Sequence, residues 1–322
     1  MAHSDMVHTH VSGMAHGGMP GKSKEFFMII IRMTGGLGNQ MFQYALYMKL
    51  KDLGHDVKFD DVTEYVNRDN ARPIQLSAFG IRYPQATHQE LNDITDGSMR
   101  LSARIRRKIT GRRTAEYDET AYKYDPEVLV KDPAYLVGFF QSERYFEDIA
   151  DKVRNEFAFD ESIFTDDMRK WEKQITKTDS VAIHLRGGDY LSTPEVYGDI
   201  CTDMYYDSAI KYMSEKHHDL VYYLFSNDRS LSESFISDHK GFDIREVTCS
   251  EEYTGYLDMY LMTKCRHHII ANSSFSWWGS WLSDYKDKDI IAPKVWLKNG
   301  NSADIHTKNM ILIDHEGELQ DE

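Results

Sequence analysis

The sequence predicts an α/β fold in which two Rossmann-like domains face each other across a cleft. Short apolar strands alternate with amphipathic helices along most of the chain, as is typical of parallel α/β sheets. This alternation forms two separate series that meet near residue 155. A chain of 322 residues is also long enough for two domains that each bury a core.

The first series begins with a strand, a glycine turn and a helix. The strand MIIIRM leads into the turn GGLGNQ, and the amphipathic stretch that follows predicts a helix ending at Gly54. The first series also contains a predicted strand at 56–61, a predicted strand at 134–140 and a predicted long helix at 142–157. The stretch between them, 67–119, is irregular and polar.

The second series contains more strands than the first. Its predicted strands are SVAIHLR (180–186), LVYYLFS (220–226), HHIIAN (267–272) and DIIAP (289–293). Its predicted helices lie at 204–216, 230–239, 256–265 and 274–285. We therefore expect an N-terminal domain over 28–155, a C-terminal domain over 156–305 and a tail over 306–322. Residues 1–27 are rich in His, Met and Gly without periodicity, which predicts a disordered leader or an artificially appended tail.

Composition excludes several classes of protein. Lys and Arg number 38 against 52 Asp and Glu, so the formal net charge is −14, which argues against general nucleic-acid binding. The three cysteines are scattered and form no CxxC pair, so we expect neither disulfides nor a zinc site. No stretch approaches the roughly 18 apolar residues of a membrane span, and no signal-peptide pattern opens the chain. These features predict a cytoplasmic protein.

Three strands of the second series end in polar residues with useful chemistry. The first delivers His184, Arg186 and Asp189, the second Ser226–Asp228, and the third Asn272–Ser274 immediately before a helix. The carboxyl ends of parallel strands meet at one crevice, so these side chains are expected together. A helix N-terminus favours anions, and an arginine fork suits a phosphate. The sequence therefore predicts a phosphate pocket.

Each of these residues also has a purely structural interpretation. His184 could be a satisfied core histidine, and Arg186 could form an internal ion pair with Asp189. Ser273 and Ser274 could simply cap a helix, and the nearby tryptophans fit a core. The run CRHH (265–268) suggests a metal site only weakly, because adjacent strand residues point to opposite faces. The coincidence of three polar strand ends favours the pocket.

The turn GGLGNQ partly matches a dinucleotide-binding fingerprint. Met41 stands where the third glycine of that fingerprint should be, and Asn39 and Gln40 place amide groups that the fingerprint does not require. A glycine loop that lets backbone approach a ligand held by the other domain fits better.

Five motifs together resemble the α-1,2-fucosyltransferases, the inverting enzymes of glycosyltransferase family 11. They are MTGGLGNQMFQYA (33–45), GFFQSERYF (138–146), HLRGGDY (184–190), FSND (225–228) and MYLMTKCRHHIIANSSFSWWGSWL (259–282). They occur in order over nearly the whole predicted fold. The family commonly carries a second arginine in its HxRRGDY motif, and this chain has Gly187 there.

The resemblance implies a GT-B fold that binds GDP-β-L-fucose and requires no metal. Arg186 would hold the diphosphate, and Asp228 would lie near the nucleoside. The C-terminal domain would bind the nucleotide sugar, and the N-terminal domain would face the acceptor. The remaining donor-binding residues implied are Gly36, Gly38, Asn39, Ser226, Asn272, Ser273, Ser274 and the backbone of Phe275.

The chemistry implied is a single displacement with inversion, in which Arg186 and the helix terminus stabilise the departing GDP. His184 and Asp189 are the candidate bases for the acceptor hydroxyl. The only D-x-D, at 287–289, is expected to be a solvated turn. The expected acceptor is a galactosyl glycan, as in bacterial O-antigen or oligosaccharide biosynthesis. Another nucleotide-sugar transferase, or a non-catalytic carbohydrate-binding protein, would also fit the same fold.

The polar middle region contains one run of basic residues. The stretch Arg100–Arg113 holds seven basic residues and no acid. It is either a solvated helix face or a contact with the anionic inner face of a membrane, where lipid-linked acceptors are found.

Overall fold

A computed structural model describes residues 28–67, 72–120, 122–187, 194–249, 254–298 and 303–320. These residues form two parallel sheets with helices packed around them. The predicted class, α/β with two Rossmann-like halves facing a cleft in the GT-B manner, is confirmed.

The first sheet has four strands, ordered β2-β1-β4-β3 and all parallel. The strands are β1 (Ile29–Arg32), β2 (Val57–Asp60), β3 (Glu116–Asp118) and β4 (Ala134–Val137). Every described side chain of β1 except Arg32 is buried, as expected for a strand covered on both faces. The strands predicted at 28–33 and 56–61 occur as β1 and β2. The strand predicted at 134–140 occurs as β4, which ends at Val137.

The second sheet has six parallel strands, ordered β10-β9-β8-β5-β6-β7. The strands are β5 (Asp179–Leu185), β6 (Leu220–Ser226), β7 (Ile244–Glu246), β8 (His267–Ile269), β9 (Ile290–Pro293) and β10 (Met310–Ile313).

The last strand corrects the prediction of a C-terminal tail over 306–322. Strand β10 pairs in register with β9, with Met310 opposite Ile290, and Ile313 is buried. The short apolar run MILI fills the edge of the sheet, so the fold extends beyond the predicted boundary at residue 305. Strand β9 is accordingly not the last one.

Eleven α-helices lie within the described residues. They are α1 (Leu37–Asp52), α2 (Thr63–Asn67), α3 (His88–Ile94), α4 (Leu101–Thr110), α5 (Ala150–Glu156), α6 (Asp166–Ile175), α7 (Pro194–Tyr197), α8 (Asp203–Lys216), α9 (Arg229–Asp238), α10 (Thr254–Lys264) and α11 (Ser274–Trp281). Helices α3 and α4 show that the middle region, which was expected to be irregular, is partly helical. None of these helices is both long enough and apolar enough to cross a bilayer.

The two halves share the largest of the described apolar clusters, and each half also has a smaller cluster of its own. The Phe42 ring on α1 lies 4.6 Å from the ring of Trp277 and 4.9 Å from that of Trp278, both on α11. The Trp278 indole N–H donates a 2.9 Å hydrogen bond to the Gly38 carbonyl. One continuous apolar cluster thus joins both sheets. It fixes the start of α1 against the start of α11, and this junction positions the site.

Candidate active site

A cavity of about 580 Å³ opens where the strands of both sheets end. The loop after β1 and the segments after β5, β6 and β8 supply much of its lining. Both polar and apolar side chains line it, as is typical of a small-molecule site. The predicted residues that line this cavity are Gly36, Gly38, Asn39, His184, Arg186, Ser226, Asn272, Ser273, Ser274 and Phe275.

Helix α11 begins at the cavity. The first N–H groups of a helix have no partner inside it, and the helix dipole adds positive potential there. Ser273 precedes the helix, and its side chain accepts no hydrogen bond from the first turn. The Ser274 hydroxyl instead donates to Asn39 Oδ1 at 2.7 Å, across the junction of the two halves. The first-turn N–H groups therefore remain available to an anion.

The glycine loop after β1 packs directly on this helix start. Gly35 has φ +79°, a conformation that favours glycine. A β-carbon on Gly38 would lie 2.6 Å from the Ser274 carbonyl carbon, so only glycine fits there. Asn39 Oδ1 accepts a second 2.7 Å hydrogen bond, from the Gln141 amide. Backbone of the first half thus reaches the anion-binding face of the second.

The amide side chain of Gln40 holds the loop from behind. It donates to the carbonyls of Gly35 (2.8 Å) and Pro73 (3.0 Å), and its oxygen accepts from the Gln75 N–H at 2.8 Å. Gln40 is fully buried, so its role is structural. This structural role explains why the loop carries Gln40, where the dinucleotide-binding fingerprint requires no amide.

The segment after β5 places Arg186 on the cavity wall. The next residue, Gly187, donates its N–H to Asn227 Oδ1 at 3.2 Å. A β-carbon on Gly187 would lie 2.8 Å from the Asp228 β-carbon. A side chain at this position would therefore collide with the start of α9. This packing accounts for the glycine where the family commonly has arginine.

His184 lies on the cavity wall and is almost fully buried. Burial, and secondly the charge of Arg186, lowers the pKa of His184 to about 3. Its Nδ1 has no hydrogen-bond partner within the described residues. The ring is therefore neutral at ordinary pH and a weak base.

Similarity to known proteins decides the family. The model of Glycosyl transferase family 11 matches residues 113–313, which is more than half of the chain. The α-1,2-colitosyltransferase of Escherichia coli is 31% identical over 283 residues, which cover 84% of this chain and 93% of that protein. The chain belongs to glycosyltransferase family 11.

Two further relatives agree with this assignment. The O-antigen biosynthesis glycosyltransferase WbnK of Escherichia coli is 29% identical and covers 87% of this chain and 99% of that protein. Galactoside α-(1,2)-fucosyltransferase 1 of Bos taurus is 22% identical, over 77% of this chain and 64% of that protein. The protein is thus a glycosyltransferase, and the resemblance seen in its motifs is confirmed.

One predicted site residue of this family 11 enzyme, Asp228, is not on the cavity wall. Asp228 is not among the lining residues, and its Oδ1 caps α9 by accepting hydrogen bonds from the Leu231 N–H and the Ser230 hydroxyl. Asp189 lies outside the described residues.

Asp258, on α10, is a lining residue that the sequence did not indicate. Burial raises the pKa of Asp258 to about 7, and a hydrogen bond from the Cys249 thiol opposes that shift. Its Oδ1 is buried without a hydrogen-bond partner in the described parts of the chain. An unsatisfied carboxylate oxygen in a binding cavity is ready to accept hydrogen bonds from a ligand.

The other unforeseen lining residues come mainly from the first half. Tyr122 and Phe139 stack with ring centroids 6.4 Å apart. Glu64 is buried and paired with Arg32. The remaining ones are Thr34, Gly35, Leu37, Arg72, Gln75, Gln141, Phe225, Gly255, Trp296 and Leu297. Asn227, which the sequence places at the same strand end as Ser226, lines the cavity as well.

Among the described residues, one group of side chains could hold a metal ion, and it lies at the opposite ends of the strands. Ligand atoms of Asp179, His217 and His267 fall within 4.8 Å of one another, where β5 and β8 begin. However, His267 Nδ1 accepts the Asp289 N–H at 3.0 Å, so the neutral ring carries its proton on Nε2 and directs it towards Asp179. Asp289, from the D-x-D stretch, is paired with Lys216 and His217.

Proposed function

We propose that this enzyme transfers L-fucose from GDP-β-L-fucose to the 2-hydroxyl of a galactosyl residue, with inversion and without a metal. The observation that carries the proposal is that Arg186 and the start of α11 line one cavity in a family 11 enzyme. The relatives named for α-1,2 transfer support the linkage.

The diphosphate would lie between Arg186 and the first turn of α11. Arginine presents a planar fork that matches phosphate oxygens, and helix N–H groups supply further donors. Gly38 and Asn39 contact Ser274 at the start of α11. They would therefore lie next to the bound diphosphate and close over the donor. Ser226 and Asn272 would complete the pocket at their strand ends.

The guanine base would be read by Asp258. The guanine edge carries N–H donors, which pair with a carboxylate. Asp258 offers a buried oxygen without a partner in the described residues, and it stands on the half of the molecule that carries Arg186. This assignment replaces Asp228, whose carboxylate caps α9.

Transfer breaks the bond between the anomeric carbon and the phosphate oxygen while the acceptor oxygen forms a bond on the opposite face. GDP leaves with the electron pair, and Arg186 and the α11 dipole stabilise its growing charge. The acceptor proton passes to a base. His184 is a poor base at a pKa of about 3, so we propose Asp189 for this role and a neutral, positioning role for His184.

The acceptor would be a galactosyl glycan, which the name of the bovine relative suggests. WbnK is named for O-antigen biosynthesis, and lipid-linked acceptors are expected at an anionic membrane face, which the basic run Arg100–Arg113 suits. We therefore propose a lipid-linked acceptor and a peripheral contact with anionic membrane through Arg100–Arg113.

A second donor has specific support. The relative that is 31% identical is named for colitose, a sugar that lacks the 3-hydroxyl of fucose. A site built to hydrogen-bond that hydroxyl would reject colitose strongly, whereas a site without such contacts would accept both sugars.

A donor-by-acceptor panel tests the proposal. GDP-fucose and GDP-colitose are each offered with galactosides, and the product linkage is determined by NMR. We expect an α-1,2 product from GDP-fucose, with turnover unchanged in excess EDTA. A preference for GDP-colitose would establish the second candidate. Loss of turnover in EDTA, with rescue by Mn²⁺ or Mg²⁺, would refute metal independence.

A further inference from the structure

Helix α4 stands on the surface without a buried residue. Leu101, Ile105 and Ile109 are spaced by four residues, so they share one face of the helix. Their exposed fractions are 71%, 50% and 78%, which is high for large aliphatic side chains. Met99, just before the helix, is 78% exposed and adds to this apolar end. We call Leu101, Ile105 and Ile109 the aliphatic stripe.

Arginine side chains outside the aliphatic stripe bind α4 to the segment that precedes it. Arg106 forms an ion pair with Asp96, and Arg107 donates to the carbonyls of Asp96 (2.8 Å) and Ser98 (2.7 Å). The Arg113 N–H donates to Asp96 Oδ2 at 2.9 Å. At about 100° per residue, Arg107 lies on the far side of the helix from the stripe, and Arg106 lies at the edge of that side. The helix is thus held with its apolar face outward.

Basic side chains flank the aliphatic stripe. Arg104 and Lys108 are exposed, and they lie beside the stripe on the helical wheel. Arg100 and Arg112, at the two ends, are exposed as well. No acidic residue occurs between Asp96 and Glu116, although the whole chain carries a net charge of −14. The surface therefore combines aliphatic side chains with a local positive charge.

We propose that α4 inserts its aliphatic stripe into the interface of an anionic phospholipid membrane. A helix with a basic face and exposed large aliphatics is typical of segments that lie in the headgroup region. The cations match the lipid charge, and a nucleic acid would leave the three aliphatic side chains in water. The inference deepens the proposed membrane contact by assigning it to insertion instead of charge alone, and it does not depend on which sugar is transferred.

The anchoring contacts decide which variants test this proposal. Substituting Arg106 or Arg107 would release the helix from Asp96, so loss of binding in such variants would not identify a membrane contact. The informative changes are Leu101→Ser, Ile105→Ser and Ile109→Ser for the stripe. Arg104→Gln and Lys108→Gln test the flanking charge. Val130→Ser is the matched control, because Val130 is 67% exposed and outside α4.

The experiment is co-sedimentation of the full chain with vesicles of phosphatidylglycerol and phosphatidylcholine, and with phosphatidylcholine alone. We expect binding to the anionic vesicles that high salt weakens. Each serine substitution in the stripe should lower the partition coefficient by about tenfold. Arg104→Gln with Lys108→Gln should reduce the salt dependence, and Val130→Ser should change nothing. Circular dichroism and turnover on a soluble galactoside verify that the variants remain folded.

A second measurement covers the case in which a serine variant unfolds. In Ile105→Trp, brominated lipids should quench the new fluorescence above the background of wild type. Absence of binding to anionic vesicles at low salt would overturn the proposal. So would binding that the stripe substitutions leave unchanged, tight binding of an RNA that displaces the vesicles, or a concentration-dependent dimer that Ile105→Ser dissociates without any vesicle binding.

Discussion

Gly38 lies against the peptide that joins Ser274 to Phe275, where helices α1 and α11 both begin. A β-carbon on Gly38 would stand 2.6 Å from the Ser274 carbonyl carbon and 2.7 Å from the Phe275 nitrogen. The obstacle is backbone, which cannot rotate away as a side chain can. The two halves of the enzyme therefore meet through a glycine at the edge of the proposed diphosphate pocket.

Gly38→Ala should reduce turnover by about a hundredfold or more, because a displacement of about 1 Å at a reacting centre is enough for such a loss. Steady-state kinetics, at a temperature where circular dichroism shows a folded protein, measure the effect. Gly241→Ala is the matched control, since no atom lies within 4 Å of the added β-carbon there. Equal activity of the two variants would contradict the close approach at Gly38.

Gly187→Ala should impair the enzyme because of Asp228. The added β-carbon would lie 2.8 Å from that of Asp228, and we expect a loss of activity of about tenfold. Asp228→Gly removes the obstacle, and glycine remains an acceptable N-cap for α9, at a cost of a few tenths of a kcal/mol. The double variant should therefore recover most of the loss. Turnover of wild type, the two single variants and the double variant gives the coupling free energy between positions 187 and 228. Additive losses would show that the two residues do not collide.

The strand ends of the second sheet could be predicted from sequence, and the reason is physical. An apolar run that changes abruptly to polar residues marks the end of a buried strand, and parallel strands bring such ends together. His184, Arg186, Asn272 and Ser274 accordingly line one cavity. The assignment of their roles remains a proposal.

Other features carry no comparable signal. Asp258 sits inside a helix, where one acidic residue among apolar ones is most simply explained by an exposed face. The contact between Phe42 and Trp277 joins residues far apart in sequence, so periodicity shows that each is buried but does not identify its partner. The predicted long helix over 142–157 is helical only from Ala150, after two short 3₁₀ segments.

Arg186→Lys should lower turnover by about a hundredfold while the fold survives. A lysine ammonium supplies one point charge, whereas the guanidinium can hold two phosphate oxygens in a fixed geometry. Kinetics with GDP-fucose and a soluble galactoside measure the loss, and circular dichroism verifies the fold. Near-normal activity in a folded Arg186→Lys protein would exclude this residue from the diphosphate site.

Donor affinity should depend on the ionisation of Asp258. Burial raises the pKa of Asp258 to about 7, so the carboxyl is protonated below that pH and cannot accept both guanine N–H groups. We expect the affinity for GDP-fucose to be constant above pH 7 and to fall about tenfold per pH unit below it. Calorimetry without acceptor measures this, and it uses the intact sugar nucleotide because the terminal phosphate of GDP itself titrates near about pH 6.

Asp258→Asn separates base recognition from a role in catalysis. The amide cannot ionise, so the variant should bind GDP-fucose weakly and independently of pH. The pKa also predicts stability without ligand. An unfolded aspartate loses its proton near about pH 4, whereas the folded one keeps it up to about pH 7. Stability conferred by the protonated form is therefore lost as pH rises through this window, and Asp258→Asn should melt higher than wild type at pH 8. Unchanged affinity with reduced turnover would instead make Asp258 the base in the reaction.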